Sequence, residues 1–358
     1  ARAVRLAFAG GGTGGHLFPG LAVAQCARER GLAESIVFFG AERGIESRLV
    51  VPAGFELVTQ PLEAVSGRSA LAALKAVGRL LGAAAAARKE LVQRRCEVVI
   101  GLGGYASASA VLAARTAGIP AVLLEQNSAP GLANRALSRL AAAVCTSFEQ
   151  SVVSFPRGRV RFTGNPLRPG LEELAERGAR DTVLVFGGSA GAVSINRAVV
   201  NALAALRTEA ALPPVLHQTG DRGLDDTRRA YREAGIEAEV VPFIDDMVSA
   251  YARARLVVCR AGATTVAELL AVGRPSVLVP YPHAAGDHQT RNARSLESLG
   301  AAVVIADDDR SAEGLRAELG RLLGDRETLD SMATKAAAAH RPGAAARVLE
   351  ILEEVVGP

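Results

Sequence analysis

The chain has 358 residues, 49% of them hydrophobic and only 4% aromatic, with a formal net charge of +4. This length predicts two domains that each bury a core, and the mild, dispersed charge argues against a nucleic-acid partner. The four cysteines form no C-x-x-C pair, so we expect neither a disulfide framework nor a zinc site. No apolar run approaches the roughly 20 residues that span a bilayer, and no signal peptide is expected.

The first informative stretch is residues 4–20, VRLAFAGGGTGGHLFPG. An apolar strand runs into a glycine turn and then a helical pattern, which lets backbone N–H groups approach an anion at a helix N-terminus. His16 falls in the first helical turn, where the helix dipole favours a neutral imidazole able to accept a proton. Gly10, Gly12 and Gly15 also match G-x-G-x-x-G, and Glu42 could serve as the ribose acid, so NAD(P) binding is an alternative.

Two further segments of the first half combine strand ends with polar or glycine residues. In GLGGYASAS (101–109), Gly103 and Gly104 admit close backbone approach, and Tyr105 could pack on or hydrogen-bond a substrate. The next strand ends in LLEQN, which places Glu125 and Asn127 at its carboxyl end. Ligands of doubly wound folds bind beyond the carboxyl ends of the strands, so we expect both segments to belong to a site.

Short β-branched runs alternate with Ala/Leu-rich helical patterns along the whole chain. This alternation predicts an α/β protein with two Rossmann-like, doubly wound parallel-sheet domains that face a cleft. We predict an N-terminal domain of residues 1–163, joined by a final helix at 342–358, and a C-terminal domain of residues 164–341. The predicted strands are 4–9, 35–39, 55–58, 98–101, 121–124, 143–146, 183–186, 215–218, 238–242, 256–260, 276–279 and 301–305.

The second half repeats the glycine turn in VLVFGGSAGA (183–192) and is richest in RAGATTVAELLAVGRP (260–275). Helix N-terminal amides near Thr264 and Thr265 can hold a diphosphate, and Glu268 can accept two hydrogen bonds from ribose hydroxyls. Main-chain groups of VPFIDDM (241–247) could read the base, and the polar residues of PYPHAAGDHQTRNA (280–293) suit sugar hydroxyls.

Several catalytic patterns are missing. The chain has no G-x-x-x-x-G-K-[ST] and no G-x-S-x-G, which argues against a P-loop NTPase and a serine hydrolase. The pair Asp307 and Asp309 could suggest a metal site, but we interpret it as a solvated turn or helix cap. His217 and His340 are predicted to be structural.

Taken in order, GGGTGGHLFPG, GLGGYAS, LLEQN, FTGNPLR, FGGSAG, FIDDM, AGATTVAE and DHQTRNA resemble the MurG family of UDP-N-acetylglucosamine transferases. The resemblance runs from about residue 4 to the C-terminal helix. It implies an inverting GT-B enzyme that moves GlcNAc from UDP-GlcNAc to the C4 hydroxyl of MurNAc in lipid I, the undecaprenyl-diphosphate-linked MurNAc-pentapeptide, during peptidoglycan synthesis. It implies no cofactor, no metal, and a peripheral position on the cytoplasmic face of the bacterial inner membrane, with cell-wall synthesis proteins as candidate partners.

The resemblance also assigns residues. It implies that the acceptor meets His16, Gly103, Gly104 and Tyr105. It implies that the donor meets Thr13, Gly14, Gly15, Asn127, Arg168, Ser189, Ile244, Ala263, Thr264, Thr265, Glu268 and Gln289. The chain departs from the family pattern at Ala190, where a Gln is common, and at His288, which replaces the first of two Gln residues.

For the chemistry, we expect His16 to be the base that takes the proton of the acceptor hydroxyl, with Glu125 as the second candidate. Residues 68–95 carry seven basic side chains and one acidic side chain. Leu74, Val77 and Leu81 share one helical face there, which suits an interfacial helix with snorkelling cations, although an ordinary sheet-covering helix is the alternative. The competing functions are a UDP-GlcNAc 2-epimerase-like isomerase, a non-catalytic sugar-nucleotide-binding subunit and an NAD(P) oxidoreductase.

Overall fold

The computed structural model describes residues 2–41, 45–60, 70–174, 180–208 and 211–357, and for residues 70–74, 76, 105 and 285 it describes the backbone alone. The chain divides into two compact units. The N-terminal unit contains Ala1–Arg168 and Gly343–Pro358, and the C-terminal unit contains Pro169–Pro342. These divisions lie close to the predicted boundaries, and the final helix belongs to the N-terminal unit.

The described residues form thirteen strands in chain order. These are β1 (Val4–Gly10), β2 (Ala33–Ala41), β3 (Glu56–Gln60), β4 (Val98–Gly103), β5 (Ala121–Glu125), β6 (Ala143–Thr146), β7 (Val160–Phe162), β8 (Thr182–Phe186), β9 (Val215–Gln218), β10 (Ala238–Val241), β11 (Ala254–Cys259), β12 (Ser276–Leu278) and β13 (Ala302–Val304). All twelve predicted strands are confirmed. Strand β7 was not predicted, because it is only three residues long, contains Arg161 and lies at a sheet edge beside β6.

The helices alternate with these strands. They are α1 (Gly14–Glu29), α2 (Glu46–Leu49), α3 (Ala70–Gln93), α4 (Gly104–Ala117), α5 (Leu132–Leu137), α6 (Val193–Arg207), α7 (Leu224–Glu233), α8 (Met247–Arg253), α9 (Ala263–Val272), α10 (His288–Ser298), α11 (Ser311–Gly324), α12 (Arg326–Ala339) and α13 (Ala344–Val356). In the part of the chain that the structure describes, none of them is both long and apolar enough to cross a membrane.

Both sheets are parallel, and the first six strands of each have the same order. The described part of the N-terminal unit has the strand order β3-β2-β1-β4-β5-β6-β7, and that of the C-terminal unit has β10-β9-β8-β11-β12-β13. In each order the direction of winding reverses once, between β1 and β4 and between β8 and β11. These topological switch points are where open α/β sheets bind ligands. The predicted pair of Rossmann-like, doubly wound folds is confirmed.

The central strands β1, β4, β5 and β6 of the N-terminal unit are buried on both faces. Along β1, Leu6 and Phe8 pack into the core beneath α1 and α13, whereas Ala7 and Ala9 pack into the core beneath α3 and α4. Alternate side chains of a strand point to opposite faces, so a strand covered on both sides reads as a continuous apolar run. Helix α13 contributes Val348, Leu349, Ile351 and Leu352 at helical spacing, which confirms the predicted final helix.

Candidate functional site

The glycine turn after β1 carries the predicted base. Gly10, Gly11 and Gly12 all have positive φ angles, of 147°, 154° and 80°, which other residues rarely adopt. Helix α1 begins directly after Thr13, whose carbonyl oxygen accepts from His16 N and Leu17 N. Thr13 Oγ1 lies 3.4 Å from His16 Nδ1, so a hydroxyl on the preceding turn helps to orient the half-buried imidazole. Gly14 and Gly15 form the first turn of the helix.

The glycine turn after β4 lies directly against this first turn. Gly10 is the register partner of Gly103, so the two turns leave the sheet side by side. Gly103 has a φ angle of 106°, and a methyl group placed on it would lie 3.2 Å from His16 Cδ2. A methyl group placed on Gly104 would lie 3.4 Å from the carbonyl oxygen of Gly11. The structure therefore brings His16, Gly103 and Gly104 together at the N-terminal switch point, although the motifs are far apart in sequence.

For two residues named in the sequence analysis, Tyr105 and Glu42, the structure describes only the backbone or nothing. The backbone of Tyr105 lies in the first turn of α4, and its side chain is among those not described. Glu42, the residue named for the NAD(P) alternative, lies outside the described residues.

Glu46 is a residue of this site that the sequence analysis missed. It begins the short helix α2, and its side chain is buried beneath the first glycine turn. Its Oε1 accepts from Gly12 N at 2.9 Å. A buried carboxylate that holds a glycine loop has a structural role, and its only sequence signal was an acidic residue shortly after the second strand.

The carboxylate of Glu125, the second base candidate, is buried at the end of β5. Its Oε1 accepts from Asn127 N at 2.9 Å and from Asn127 Nδ2 at 3.2 Å. Its Oε2 accepts from Gly131 N at 3.1 Å and from Asn134 Nδ2 at 3.0 Å. Both oxygens thus hold the loop that follows β5, and Asn127, predicted to contact the donor, is one of the groups held.

Arg168 ends the N-terminal unit. Its guanidinium carbon lies 4.1 Å from the ring centroid of Phe18 on α1, in a cation–π contact that fixes the side chain beside the helix carrying His16. The preceding segment is held by α13, because Arg347 donates from Nε and Nη2 to the carbonyl oxygen of Thr163.

In the C-terminal unit, the glycine turn after β8 leaves Ser189 exposed. Gly188 has a φ angle of 91°, and Gly191 N donates to Gly188 O at 2.9 Å, which closes a tight turn with Ser189 at its tip. Ile244 follows strand β10, which is separated from β8 by β9, and its backbone N–H donates to Gln218 Oε1 at 3.0 Å. Gln218 was not among the predicted site residues.

The turn after β11 leads into helix α9 at the C-terminal switch point. Gly262 is the N-cap, and Ala263, Thr264 and Thr265 supply the first N–H groups, which no helix can bond internally. One turn further, the buried Glu268 accepts from the hydroxyl of Tyr251 at 3.0 Å. These N–H groups together with the oriented carboxylate have the chemistry of a phosphate and ribose site.

Helix α10 fixes the start of this turn. Gln289 Oε1 accepts from Tyr281 N at 3.0 Å and from Ala261 N at 3.3 Å. Asn292, one helical turn later, donates from Nδ2 to Ala261 O at 3.1 Å. Gln289, predicted to read the sugar, therefore also positions the backbone from which α9 begins.

The interpretation of Asp307 as a solvated turn or cap is wrong. Its side chain is largely buried and forms an ion pair with Arg260 Nη1 at 2.7 Å. Ser194 Oγ donates to Asp307 Oδ2 at 2.9 Å, and Arg260 Nη2 contacts the same hydroxyl at 3.0 Å. Sequence spacing gave no signal for this cluster, because its three members come from the turn after β11, from α6 and from the segment after β13.

His217, predicted to be structural, is fully buried between the Tyr231 hydroxyl, 2.9 Å from Nδ1, and Asn196 Oδ1, 3.1 Å from Nε2. Burial lowers the pKa of His217 to about 3, so it is neutral. Among the residues that the structure describes, no three His, Cys, Asp or Glu side chains are grouped so as to hold a metal ion.

Two family models match the chain. Residues 6–146 match the glycosyltransferase family 28 N-terminal domain, and residues 182–348 match the glycosyltransferase family 28 C-terminal domain. The first range contains most of β1 and the strands up to β6, and the second contains β8 to β13.

Curated relatives and solved structures agree with these matches. Proteins of Myxococcus xanthus and Syntrophotalea carbinolica, 42% and 44% identical, are each named UDP-N-acetylglucosamine–N-acetylmuramyl-(pentapeptide) pyrophosphoryl-undecaprenol N-acetylglucosamine transferase. Both alignments cover 99% of this chain, with 93% of the first relative and 99% of the second. The crystal structure of Acinetobacter baumannii MurG is 32% identical, with a TM-score of 0.76 over 98% of this chain and 99% of that one.

A Listeria monocytogenes structure described as a UDP-N-acetylglucosamine 2-epimerase has a TM-score of 0.69 but only 13% identity, over 99% of this chain and 96% of that one. At that identity the likeness concerns the fold alone. Fold similarity by itself therefore does not separate a transferase from an isomerase.

Proposed function

Because this chain belongs to the MurG family within glycosyltransferase family 28, we propose that it transfers GlcNAc from UDP-GlcNAc to lipid I in peptidoglycan synthesis. Its fold is that of a GT-B glycosyltransferase. One observation carries the proposal at the level of the site. The groups suited to a nucleoside diphosphate, from Ser189 to Glu268, surround the switch point of the C-terminal sheet.

We assign the donor to the C-terminal unit. The N–H groups at the start of α9 and the hydroxyl of Ser189 hold the diphosphate, and Glu268 accepts from the two ribose hydroxyls. Tyr251 supports this assignment, because its hydrogen bond fixes the carboxylate in one orientation. Ile244 reads the base through its main chain, and Gln289 contacts the sugar. Arg168, Asn127 and the turn of Thr13, Gly14 and Gly15 complete the proposed donor contacts.

We assign the acceptor to the N-terminal unit, where Gly103, Gly104 and Tyr105 adjoin His16. The acceptor C4 oxygen attacks C1 of GlcNAc, and the bond from C1 to the diphosphate oxygen breaks with its electron pair leaving on UDP. His16 takes the hydroxyl proton. Attack opposite the leaving group inverts the α linkage and forms a β-1,4 disaccharide. Helix N-terminal amides offset the charge that develops on the diphosphate.

The geometry favours His16 over Glu125 as the base. His16 is half-buried at a helix N-terminus beside two glycine turns, whereas both oxygens of Glu125 are occupied by backbone and amide N–H groups. These hydrogen bonds give Glu125 a role in holding the loop after β5.

The test is UDP release from UDP-GlcNAc with and without a short-chain lipid I analogue. We expect release to require the analogue and to yield a β-1,4 disaccharide. Formation of ManNAc without an acceptor would instead identify a 2-epimerase. UDP binding without turnover on the analogue would support a non-catalytic sugar-nucleotide subunit.

We further propose that the chain acts on the cytoplasmic face of the membrane through helix α3. Val77 and Leu81 lie one turn apart and are 53% and 61% exposed. Lys75 and Arg79 on the same helix are also exposed. Exposed apolar residues with nearby cations match an interfacial helix. The side chain of Leu74 is not described, and Arg68, the first residue of the predicted segment 68–95, lies outside the described residues.

Vesicle flotation tests this proposal. The double variant Val77→Ser, Leu81→Ser should bind anionic vesicles several-fold less than the unmodified chain, because it loses the apolar contact of about two side chains. Val92→Ser is the matched control, since Val92 is 51% exposed near the other end of α3. Equal flotation of the double variant and the unmodified chain would contradict the proposal.

A further inference from the structure

Gln218 links two loops of the proposed donor site. It ends β9, which lies between β8 and β10 in the sheet, and its side chain is buried. Its Nε2 donates to Gly188 O at 2.8 Å, in the turn that carries Ser189. Its Oε1 accepts from Ile244 N at 3.0 Å, in the segment after β10. One partner is an acceptor and the other a donor, so the orientation of the amide is determined.

The residues that follow Gln218 are held independently of it. Thr219 N donates to Val241 O at 3.0 Å, and Gly220 N donates to Pro242 O at 3.1 Å. Asn196 Nδ2 donates to Thr219 O at 3.0 Å. The main chain at the end of β9 is therefore anchored, and the Gln218 side chain extends from a fixed base to both neighbouring loops.

We infer that Gln218 is a positioning residue that sets the distance between the diphosphate-binding turn at Ser189 and the base-binding segment at Ile244. This inference rests on the proposed function, in which both loops contact one nucleoside diphosphate. A ligand that spans two loops binds more tightly when their spacing is already correct, because less ordering is required on binding. A ligand that contacts one loop gains only from the positioning of that loop.

Two substitutions that keep the side chain at a similar size distinguish the contributions of the two hydrogen bonds. Gln218→Met removes both, whereas Gln218→Glu retains an acceptor for Ile244 N and cannot donate to Gly188 O. We expect Gln218→Met to raise the Kd of UDP about tenfold, since two buried hydrogen bonds are lost. We expect Gln218→Glu to weaken UDP but to bind uridine with nearly the affinity of the unmodified chain.

Kinetics of the full chain give a second readout. In Gln218→Met, KM for UDP-GlcNAc should rise about tenfold while kcat and the KM for the lipid I analogue change less than about threefold. The matched control is Val215→Ala on the same strand, which shortens a buried core side chain and touches neither loop. It should lower the melting temperature without changing the Kd of UDP.

The outcomes are distinct. If the unmodified chain does not bind UDP, the proposed function fails and this inference fails with it. If the unmodified chain binds UDP and Gln218→Met binds it within about twofold of that affinity, the inference alone is overturned. Equal weakening of UDP binding by Val215→Ala would also overturn it, because the effect would then follow from stability.

Discussion

His16 is the residue on which the proposed chemistry depends most. We expect His16→Ala to lower kcat by roughly 10²–10⁴-fold, the usual contribution of a general base, while the Kd of UDP stays unchanged. The assay is acceptor-dependent UDP release at saturating substrates, with UDP titration as the control.

Glu125 provides the comparison. Because its carboxylate accepts four hydrogen bonds, Glu125→Gln would direct an amide N–H towards other N–H groups and should lower the melting temperature. If His16→Ala retained full turnover while a folded Glu125→Gln lost it, the roles of the two residues would be exchanged.

His217 makes the stability of the C-terminal unit depend on pH. Burial lowers the pKa of His217 to about 3, which is below its pKa in the unfolded chain. As the pH falls below that unfolded pKa, the unfolded state binds a proton that the folded state does not bind. The free energy of unfolding should therefore decrease as the pH falls, by about 1 kcal/mol between pH 7 and pH 5.5 from this group alone.

Denaturant unfolding of the full chain at these two pH values measures this decrease. His217→Gln cannot titrate and should be less stable at neutral pH, because Gln reproduces the hydrogen bonds to Tyr231 and Asn196 imperfectly. Its stability should nevertheless change less with pH. An unchanged pH dependence in the variant would show that other groups are responsible.

At the scale of elements, the junction of the turns after β1 and β4 determines where His16 lies. Gly103→Ala forces a side chain into a positive φ of 106° and places its Cβ 3.2 Å from the imidazole. We expect kcat to fall at least tenfold without loss of UDP affinity, since a small displacement of a catalytic group is costly.

Gly118→Ala is the matched control for this change. Gly118 also has a positive φ, of 72°, but a methyl group there would meet no atom within 4 Å. Gly118→Ala should lower the free energy of unfolding by about 1 kcal/mol and leave kcat unchanged. Similar losses of kcat in both variants would mean that backbone strain, and not the displaced His16, explains the effect.

At the scale of the whole molecule, the two units share one structural arrangement. Each sheet reverses its winding direction beside its first strand, and each places a glycine turn there, after β1 and after β8. The N-terminal unit adds α13, which returns from the far end of the chain and packs against α1 and the sheet. The proposed acceptor contacts of the N-terminal unit, and most of the proposed donor contacts in the C-terminal unit, follow from the different side chains placed on this common frame.

Much of this organisation could be predicted from local sequence. Buried parallel strands are continuous apolar runs, and glycine turns at their ends mark the loops where ligands bind, so twelve strands and both switch-point turns were identified. The repeated βα alternation also predicted two doubly wound sheets, and the ordered motifs predicted the family. Each of these features is determined by residues that are close together in the chain, so a short stretch of sequence is enough to predict it.

Tertiary structure alone decided which distant polar groups meet. The burial of Glu46 beneath Gly12, the ion pair of Arg260 with Asp307 and the contacts of Gln218 with two loops join segments separated by many residues. A carboxylate or amide looks the same in sequence whether it is solvated or buried. Its role depends on the desolvation and hydrogen-bond partners that the folded chain provides, which is why Asp307 was misread and Gln218 missed.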